Sequence, residues 1–163
     1  MWRQLTQHAR KAIFLAQHEA GRLGYSHVGP EHLLLALIRE DDCVAASLLE
    51  RLGIDLGTIR SEVMNRVSKG SERLGEEMQL TVDAKHVIDH AFAEGKRLND
   101  EWIGTEHLLL GLAREAGGVA ADVLNRLGAD PSSILNQLRN LQAGRLPFGK
   151  LDANGGATCM PTM

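Results

Sequence analysis

The sequence predicts an all-α protein built from two copies of one four-helix unit. The stretch at 29–35 returns at 104–110 with one change, and aligning 5–65 with 80–140 gives 27 identities in 61 positions without a gap. Apolar residues recur at helical spacing, and no segment shows the alternation of a half-buried strand. The duplication therefore predicts eight helices, arranged as two four-helix repeats related by pseudo-twofold symmetry.

Each repeat is predicted to open with a helix of about four or five turns. Thr6 and Thr81 stand where an N-cap belongs, because a threonine hydroxyl can accept a hydrogen bond from a free N–H of the first turn. Small side chains on the apolar face of this helix would let a neighbouring helix approach closely. In the first repeat that face comprises Leu5, Ala9, Ala12, Ile13, Ala16, Ala20 and Leu23.

Three shorter helices are predicted to complete each repeat. The second follows a polar loop and buries a leucine-rich face, with Pro30 in its first turn, where proline is tolerated. The third is predicted for 42–52 and for 118–127, and a fourth follows it. The ends of the third helices and the starts of the fourth are marked by Gly53, Asp55, Gly128 and Asp130.

These elements predict four segments along the chain. The first repeat is assigned to 1–67 and the second to 79–142. The polar, glycine-containing stretch 68–78 is typical of a linker. Glycines and a proline beyond the last helix predict a flexible tail over 143–163.

Charge and composition exclude several classes of protein. The 163 residues carry 18 Lys+Arg against 21 Asp+Glu, a formal net charge of −3, which argues against a nucleic-acid surface. No apolar run reaches the length of about 18 residues that a membrane span requires. Cys43 and Cys159 form no spaced framework of disulfides. A reduced, soluble, cytoplasmic protein is therefore expected.

Catalytic and cofactor motifs are not found in the sequence. There is no Gly-x4-Gly-Lys-Ser/Thr loop, no nucleophile elbow and no dinucleotide fingerprint, so we expect a protein that is not an enzyme and needs no cofactor. His86 and His90 lie four residues apart on one helix, but the sequence shows no obvious third ligand, and the matching positions hold Lys11 and Leu15. A solvated face is the favoured interpretation, and no metal site is predicted.

Glu31 and Glu106 are the leading candidates for binding. Each lies in the first turn of the second helix of its repeat, where free N–H groups and the helix dipole favour negative charge. A carboxylate beside such donors would suit a ligand bearing both a guanidinium and a phosphate. The alternative is that the glutamates only stabilise the helix, by about 0.3–1 kcal/mol. The histidines that follow them, His32 and His107, are interpreted as packing or helix-start hydrogen-bonding residues.

The paired segments Gly29-Pro30-Glu31-His32 and Gly104-Thr105-Glu106-His107, each followed by three leucines, resemble the Clp repeat of Clp/Hsp100 unfoldase N-terminal domains. The likeness is to the ClpC type in particular and spans roughly 2–142. It implies a mobile α-helical module that receives substrates and adaptors for an ATP-driven ring unfoldase. The ATPase of that machine has no counterpart in these residues.

The resemblance also implies specific sites. ClpC-type domains bind phosphoarginine through glutamates that match Glu31 and Glu106, which adds Gly29, Gly104 and Thr105 as candidate contacts. Pro30 replaces the threonine in the first repeat, so a hydroxyl and an N–H are missing from that site. Trp2 and Leu80 open the two repeats where related domains carry an apolar patch for peptide-like ligands. Simple packing of the lobes is the alternative for these two residues.

Together these features predict a non-catalytic binding domain of a Clp unfoldase–protease, active in chaperone function and protein degradation. Its expected partners are Clp-type subunits, adaptor proteins and substrate proteins, and the isolated domain is expected to be a monomer. A free-standing regulator that competes for adaptors or docks on the ring would have the same sequence. An enzyme with a cryptic site would instead require a deep pocket of converging titratable groups.

Overall fold

A computed structural model describes residues 2–40, 42–73, 79–115 and 117–145. Within these ranges the chain forms a short 3-10 turn at Trp2–Gln4, eight α-helices and no strand, which confirms the all-α prediction. None of the helices described is long and apolar enough to cross a membrane. The helices are α1 (Gln7–Arg22), α2 (Pro30–Arg39), α3 (Val44–Arg51), α4 (Leu56–Arg66), α5 (Val82–Arg97), α6 (Thr105–Arg114), α7 (Val119–Arg126) and α8 (Pro131–Arg145).

The predicted N-caps of the first helices are confirmed. The hydroxyl of Thr6 accepts a hydrogen bond from the N–H of Ala9 at 3.1 Å, and that of Thr81 accepts from Ala84 at 3.0 Å. Each bond satisfies one of the first-turn donors that have no partner within the helix. Every helix of the second repeat begins 75 residues after its counterpart, so the duplication in sequence is a duplication in structure.

The ends of the shorter helices follow the predicted signals, with small shifts in the boundaries. Gly53 and Gly128 adopt φ values of +80° and +98°, which favour glycine, and each follows the C-cap residue of α3 or α7. Asp55 caps α4 by accepting from the N–H of Thr58 at 3.2 Å. The third helices are shorter than predicted, since the residues before Val44 and Val119 are extended N-caps.

The predicted domain boundaries remain predictions. Helix α8 continues to Arg145, three residues into the segment that was assigned to the tail, and 146–163 lie outside the described residues. The part of the linker at 74–78 also lies outside them.

Reciprocal backbone contacts establish the pseudo-twofold relation between the repeats. Leu5 forms a parallel β-bridge with Ile103, and the equivalent residues, Leu80 and Val28, form the same kind of bridge. The N–H of Thr6 donates to the carbonyl of Ile103 at 2.9 Å, and the N–H of Thr81 donates to that of Val28 at 3.0 Å. Each repeat therefore donates one such hydrogen bond and accepts the equivalent one, as expected of two units related by a twofold axis.

The central helices α2 and α6 carry the core. The leucines that were predicted to face the interior are each at most 1% exposed, and they belong to one cluster that runs through both repeats. Because the two central helices also contact each other, neither repeat encloses its apolar face alone. These core leucines are Leu33, Leu34, Leu37, Leu108, Leu109 and Leu112.

Two buried glutamates, which the sequence analysis did not single out, tie the first helix of each repeat to its neighbours. Glu19 in α1 is 2% exposed and lies 3.1 Å from the guanidinium of Arg39 in α2. In the second repeat Glu94 is paired with Arg97 at 3.0 Å and with Arg114. A buried carboxylate needs such partners, because desolvation without them is costly. The pairs therefore fix the packing of α1 on α2 and of α5 on α6.

Helices α5 and α6 approach closely at Gly111, where the first repeat has Ala36. A Cβ added to Gly111 would overlap the carbonyl oxygen of Val87 and lie 3.3 Å from the N–H of Ala91. Both of these atoms belong to the α5 backbone and cannot move aside without distorting that helix. The small-residue face predicted from the sequence therefore brings two backbones together.

We expect Gly111→Ala to lower the free energy of unfolding by about 1–3 kcal/mol, because the added methyl overpacks the α5–α6 contact. Gly57→Ala in α4 is the matched control, since its Cβ would meet only the flexible carboxylate of Asp55 at 3.0 Å. That change should be neutral or stabilise the protein by up to about 1 kcal/mol through helix propensity. Urea unfolding of both variants measures the difference. Equal stability of the two variants would contradict the close approach.

Candidate functional site

The N-termini of α2 and α6 are built by the same side-chain hydrogen bond. His32 accepts the N–H of the N-cap Gly29 through Nδ1 at 2.9 Å, and His107 does the same for Gly104 at 2.9 Å. Both histidines are 1% exposed. The interpretation of these residues as helix-start hydrogen-bonding histidines is therefore confirmed. Because Nδ1 accepts in each case, the neutral ring carries its proton on Nε2.

The two candidate glutamates fold back over the N-cap glycines. A Cβ on Gly29 would overlap Oε1 of Glu31, and a Cβ on Gly104 would overlap Oε1 of Glu106. The φ values of these glycines are −104° and −105°, which any residue can adopt. The glycines are therefore needed for space, and they let each carboxylate lie above the start of its helix.

The carboxylates of Glu106 and Glu31 differ in their burial and in their polar contacts. Glu106 is 7% exposed, and its buried Oε1 has no hydrogen-bond partner among the described residues. The side chain of Glu31 is 24% exposed, and its Oε1 lies 3.8 Å from Nδ1 of His32. The α6 site thus holds a buried carboxylate oxygen with unused accepting capacity, whereas the α2 site is more open to water.

Backbone donors are also unequal between the sites. The N–H groups of Thr105 and Glu106 donate no hydrogen bond to the described part of the chain. At the start of α2 the proline ring of Pro30 removes one of these donors, which leaves the N–H of Glu31. An anion at the α6 site would therefore meet two free donors and an anion at the α2 site one.

The hydroxyl of Thr105 has a structural partner that the sequence did not indicate. It accepts a hydrogen bond from the N–H of Ala45 at 3.1 Å, across the boundary between the repeats, and both residues are at most 1% exposed. Helix α3 needs this acceptor because its N-cap, Cys43, makes no side-chain cap bond. Thr105 therefore caps a helix of the other repeat.

The electrostatic surroundings of the two histidines are different. Burial works against protonation of His107, but the carboxylates of Glu106 and Asp100 outweigh it and raise its pKa, with Asp100 at 2.8 Å from Nε2. In the first repeat Tyr25 replaces Asp100, and burial lowers the pKa of His32. The α6 site thus has a second carboxylate, that of Asp100, next to its histidine, and the α2 site has none at this position.

The predicted partner patch is only partly described. Trp2 lies in the 3-10 turn before α1, and its side chain is outside the described residues. Leu80 is half-buried and packs against the core next to its backbone bridge with Val28. Partner binding at this edge remains a prediction.

Two four-helix repeats with an acid-bearing helix start in each define a duplicated α-helical domain whose candidate sites lie at the ends of its central helices. The chain belongs to the Clp repeat (R) N-terminal domain family, whose model matches residues 4–127 and 80–150. The resemblance drawn from the sequence is therefore confirmed.

Known proteins agree with this assignment. The chloroplastic chaperone protein ClpC1 of Arabidopsis thaliana is 46% identical over 165 aligned positions, which cover 100% of this chain and 18% of that protein. The Hsp104 N-terminal domain from Candida albicans matches with a TM-score of 0.75 and 21% identity, over 95% of this chain and 99% of that one. A ClpV N-domain in complex with a VipB peptide matches with a TM-score of 0.65 and 13% identity, over 82% and 88% of the two chains. The two solved structures share the fold, and the chain spans less than a fifth of the length of the ClpC1 relative.

We expect Thr105→Val to lower the free energy of unfolding by about 1–3 kcal/mol, because the buried N–H of Ala45 loses its acceptor while the side-chain shape is kept. Thr105→Ser keeps the hydroxyl and should cost less, which makes it the matched control. Thermal unfolding of the two variants measures this difference. If valine were tolerated as well as serine, the capping role would be rejected.

Proposed function

We propose that this chain is a non-catalytic receptor domain that brings substrates and adaptors to an ATP-dependent Clp unfoldase–protease. Membership of the Clp N-terminal family supports this role, as do a relative named as a chaperone and a neighbour of the same fold that binds a peptide. The domain would act as a monomer. The cytoplasm remains the compartment predicted from the sequence.

We further propose that the start of α6 recognises phosphoarginine on marked proteins. The observation that carries this proposal is the buried Oε1 of Glu106, which has no hydrogen-bond partner within the described ranges, beside two backbone N–H groups that donate to none of those residues. A guanidinium would donate to the carboxylate, and this charge-assisted bond gains strength where water is excluded. The phosphoryl oxygens would accept from the N–H groups of Thr105 and Glu106 at the positive end of the helix.

The start of α2 would bind the same ligand more weakly. Pro30 leaves one donor fewer for the phosphate, and the larger exposure of Glu31 lets water compete for its carboxylate. The duplication thus supplies two related sites of unequal strength. Two weak contacts on one domain would favour substrates that carry more than one modified arginine.

We expect Glu106→Gln to weaken the binding of free phosphoarginine by about tenfold or more, because a charged acceptor becomes a neutral amide. Glu31→Gln should have a smaller effect. Glu50→Gln, at an exposed position in α3, should leave binding unchanged. Calorimetric titration of the three variants and the parent chain measures these affinities. Absence of heat with the parent chain, or an equal loss in all three variants, would reject the site.

A second variant moves the carboxylate without removing its charge. In Gly104→Ala the new methyl would displace Oε1 of Glu106, the end of a flexible side chain, so we expect a folded protein with weaker phosphoarginine binding. Gly118→Ala is the matched control, because Gly118 is also an N-cap glycine and a Cβ there meets nothing within 4 Å. Both variants should keep their far-UV circular dichroism. Unchanged binding by Gly104→Ala would show that the position of the carboxylate is not used.

A further inference from the structure

A second polar cluster lies at the opposite end of α6. Glu115 is the C-cap of this helix, and its side chain is 14% exposed. Its Oε2 lies 3.3 Å from Nδ1 of His86, and its Oε1 lies 3.2 Å from Nε2 of His90. Donor atoms of Asp83, His86 and Glu115 all lie within 4.8 Å of one another. The carboxylate of Glu115 is therefore flanked by two imidazoles. Asp83 completes a three-residue group with His86 and Glu115, and His90 adjoins that group through its contact with Glu115.

We infer that His86, His90, Glu115 and Asp83 form a binding site for a zinc ion. The two histidines lie four residues apart on α5, so they share one face of the helix, and a pair spaced in this way can bind a single metal ion. The third ligand that the sequence does not show is supplied by the end of α6. Two imidazole nitrogens with carboxylate oxygens form a donor set that zinc accepts and that magnesium, which prefers oxygen ligands, does not.

The spacing of the donor atoms fits this assignment. Zinc bonds to nitrogen and oxygen ligands of about 2.0–2.1 Å place neighbouring ligand atoms of a tetrahedron about 3.3–3.4 Å apart. The two separations from Glu115, 3.2 and 3.3 Å, are close to that edge. Charge-assisted hydrogen bonds between nitrogen and oxygen are usually shorter, at about 2.7–2.9 Å. The two contacts, which involve different oxygens of Glu115, are therefore long for ion pairs and match the spacing of neighbouring zinc ligands.

The first repeat shows that this carboxylate position attracts a cation. Glu40, the equivalent of Glu115, has the ammonium of Lys11 3.3 Å from its Oε1 and Nδ1 of His8 3.7 Å from its Oε2. In the second repeat Lys11 is replaced by His86, so the built-in cation is gone and a metal-binding side chain has taken its place. The negative end of the helix dipole lies at the same point in both repeats and favours positive charge there.

A zinc ion at this position would connect α5 to the C-terminal end of α6. Because the four ligands come together only in the folded protein, zinc would bind the native state and raise its stability. The site lies at the opposite end of α6 from Glu106, so it is separate from the proposed phosphoarginine site and does not depend on it.

The test uses the full chain with Cys159→Ser, which removes the cysteine that lies outside the described residues, while Cys43 is buried. Calorimetric titration with zinc chloride should show one equivalent bound, and the midpoint of thermal unfolding should rise with zinc but not with magnesium. His86→Ala and His90→Ala should each lower the zinc affinity by about tenfold or more. Both histidines are about half exposed, so these variants should fold.

His18→Ala and His27→Ala are the matched controls, because each removes a histidine outside the cluster. They should leave zinc binding unchanged. Anomalous diffraction at the zinc edge should place the ion between His86, His90 and Glu115. The proposal would be overturned if zinc bound as tightly to His86→Ala and His90→Ala as to the parent chain. Loss of binding in a control variant would overturn it as well.

Discussion

The fold and the candidate sites at the starts of α2 and α6 depend on the reciprocal backbone pairing between the repeats. The N–H of Ile103 donates to the carbonyl of Gln4 at 2.7 Å, and the N–H of Thr6 returns a bond to the carbonyl of Ile103. Ile103 directly precedes Gly104, so the start of α6 is held by the other repeat as well as by its own. The hydroxyl of Thr105 adds a side-chain bond across the same boundary. These contacts between the two repeats thus determine where Glu106 lies.

Departures from symmetry at matched positions make the two halves chemically different. Pro30 in place of Thr105 removes a backbone donor and the bond to the opposite helix. Lys11 in place of His86 supplies a fixed cation where the other half has an imidazole. Despite these changes, each helix of the second repeat still begins 75 residues after its counterpart, because both repeats have the same pattern of core residues and caps. A duplicated scaffold can therefore vary the chemistry at its helix ends while its packing stays the same.

Local features were the ones that could be predicted from the sequence. The hydroxyl of Thr6, the carboxylate of Asp55 and the backbone of Gly53 act within a few residues of themselves, so sequence position alone indicates their roles. The placement of Glu106 at a helix start followed for the same reason. By contrast, Ala45, the hydrogen-bond partner of Thr105, lies 60 residues away in the sequence. Glu115 contacts histidines that lie 25 and 29 residues away. Those contacts arise from helix packing, which a single sequence does not reveal.

Among the buried acids of the described residues, Glu106 and Glu40 each have a carboxylate oxygen without a hydrogen-bond partner, but Glu40 has the ammonium of Lys11 3.3 Å from its other oxygen. Glu19 and Glu94 lie at similar depth, and arginines neutralise both of them. A buried charged group that lacks a partner costs free energy, of the order of 1–3 kcal/mol or more. Local arrangements that reduce stability in this way are concentrated at functional sites. A stabilising first-turn acid could reach the helix dipole from the surface, so dipole stabilisation alone does not account for a carboxylate that lies buried over Gly104.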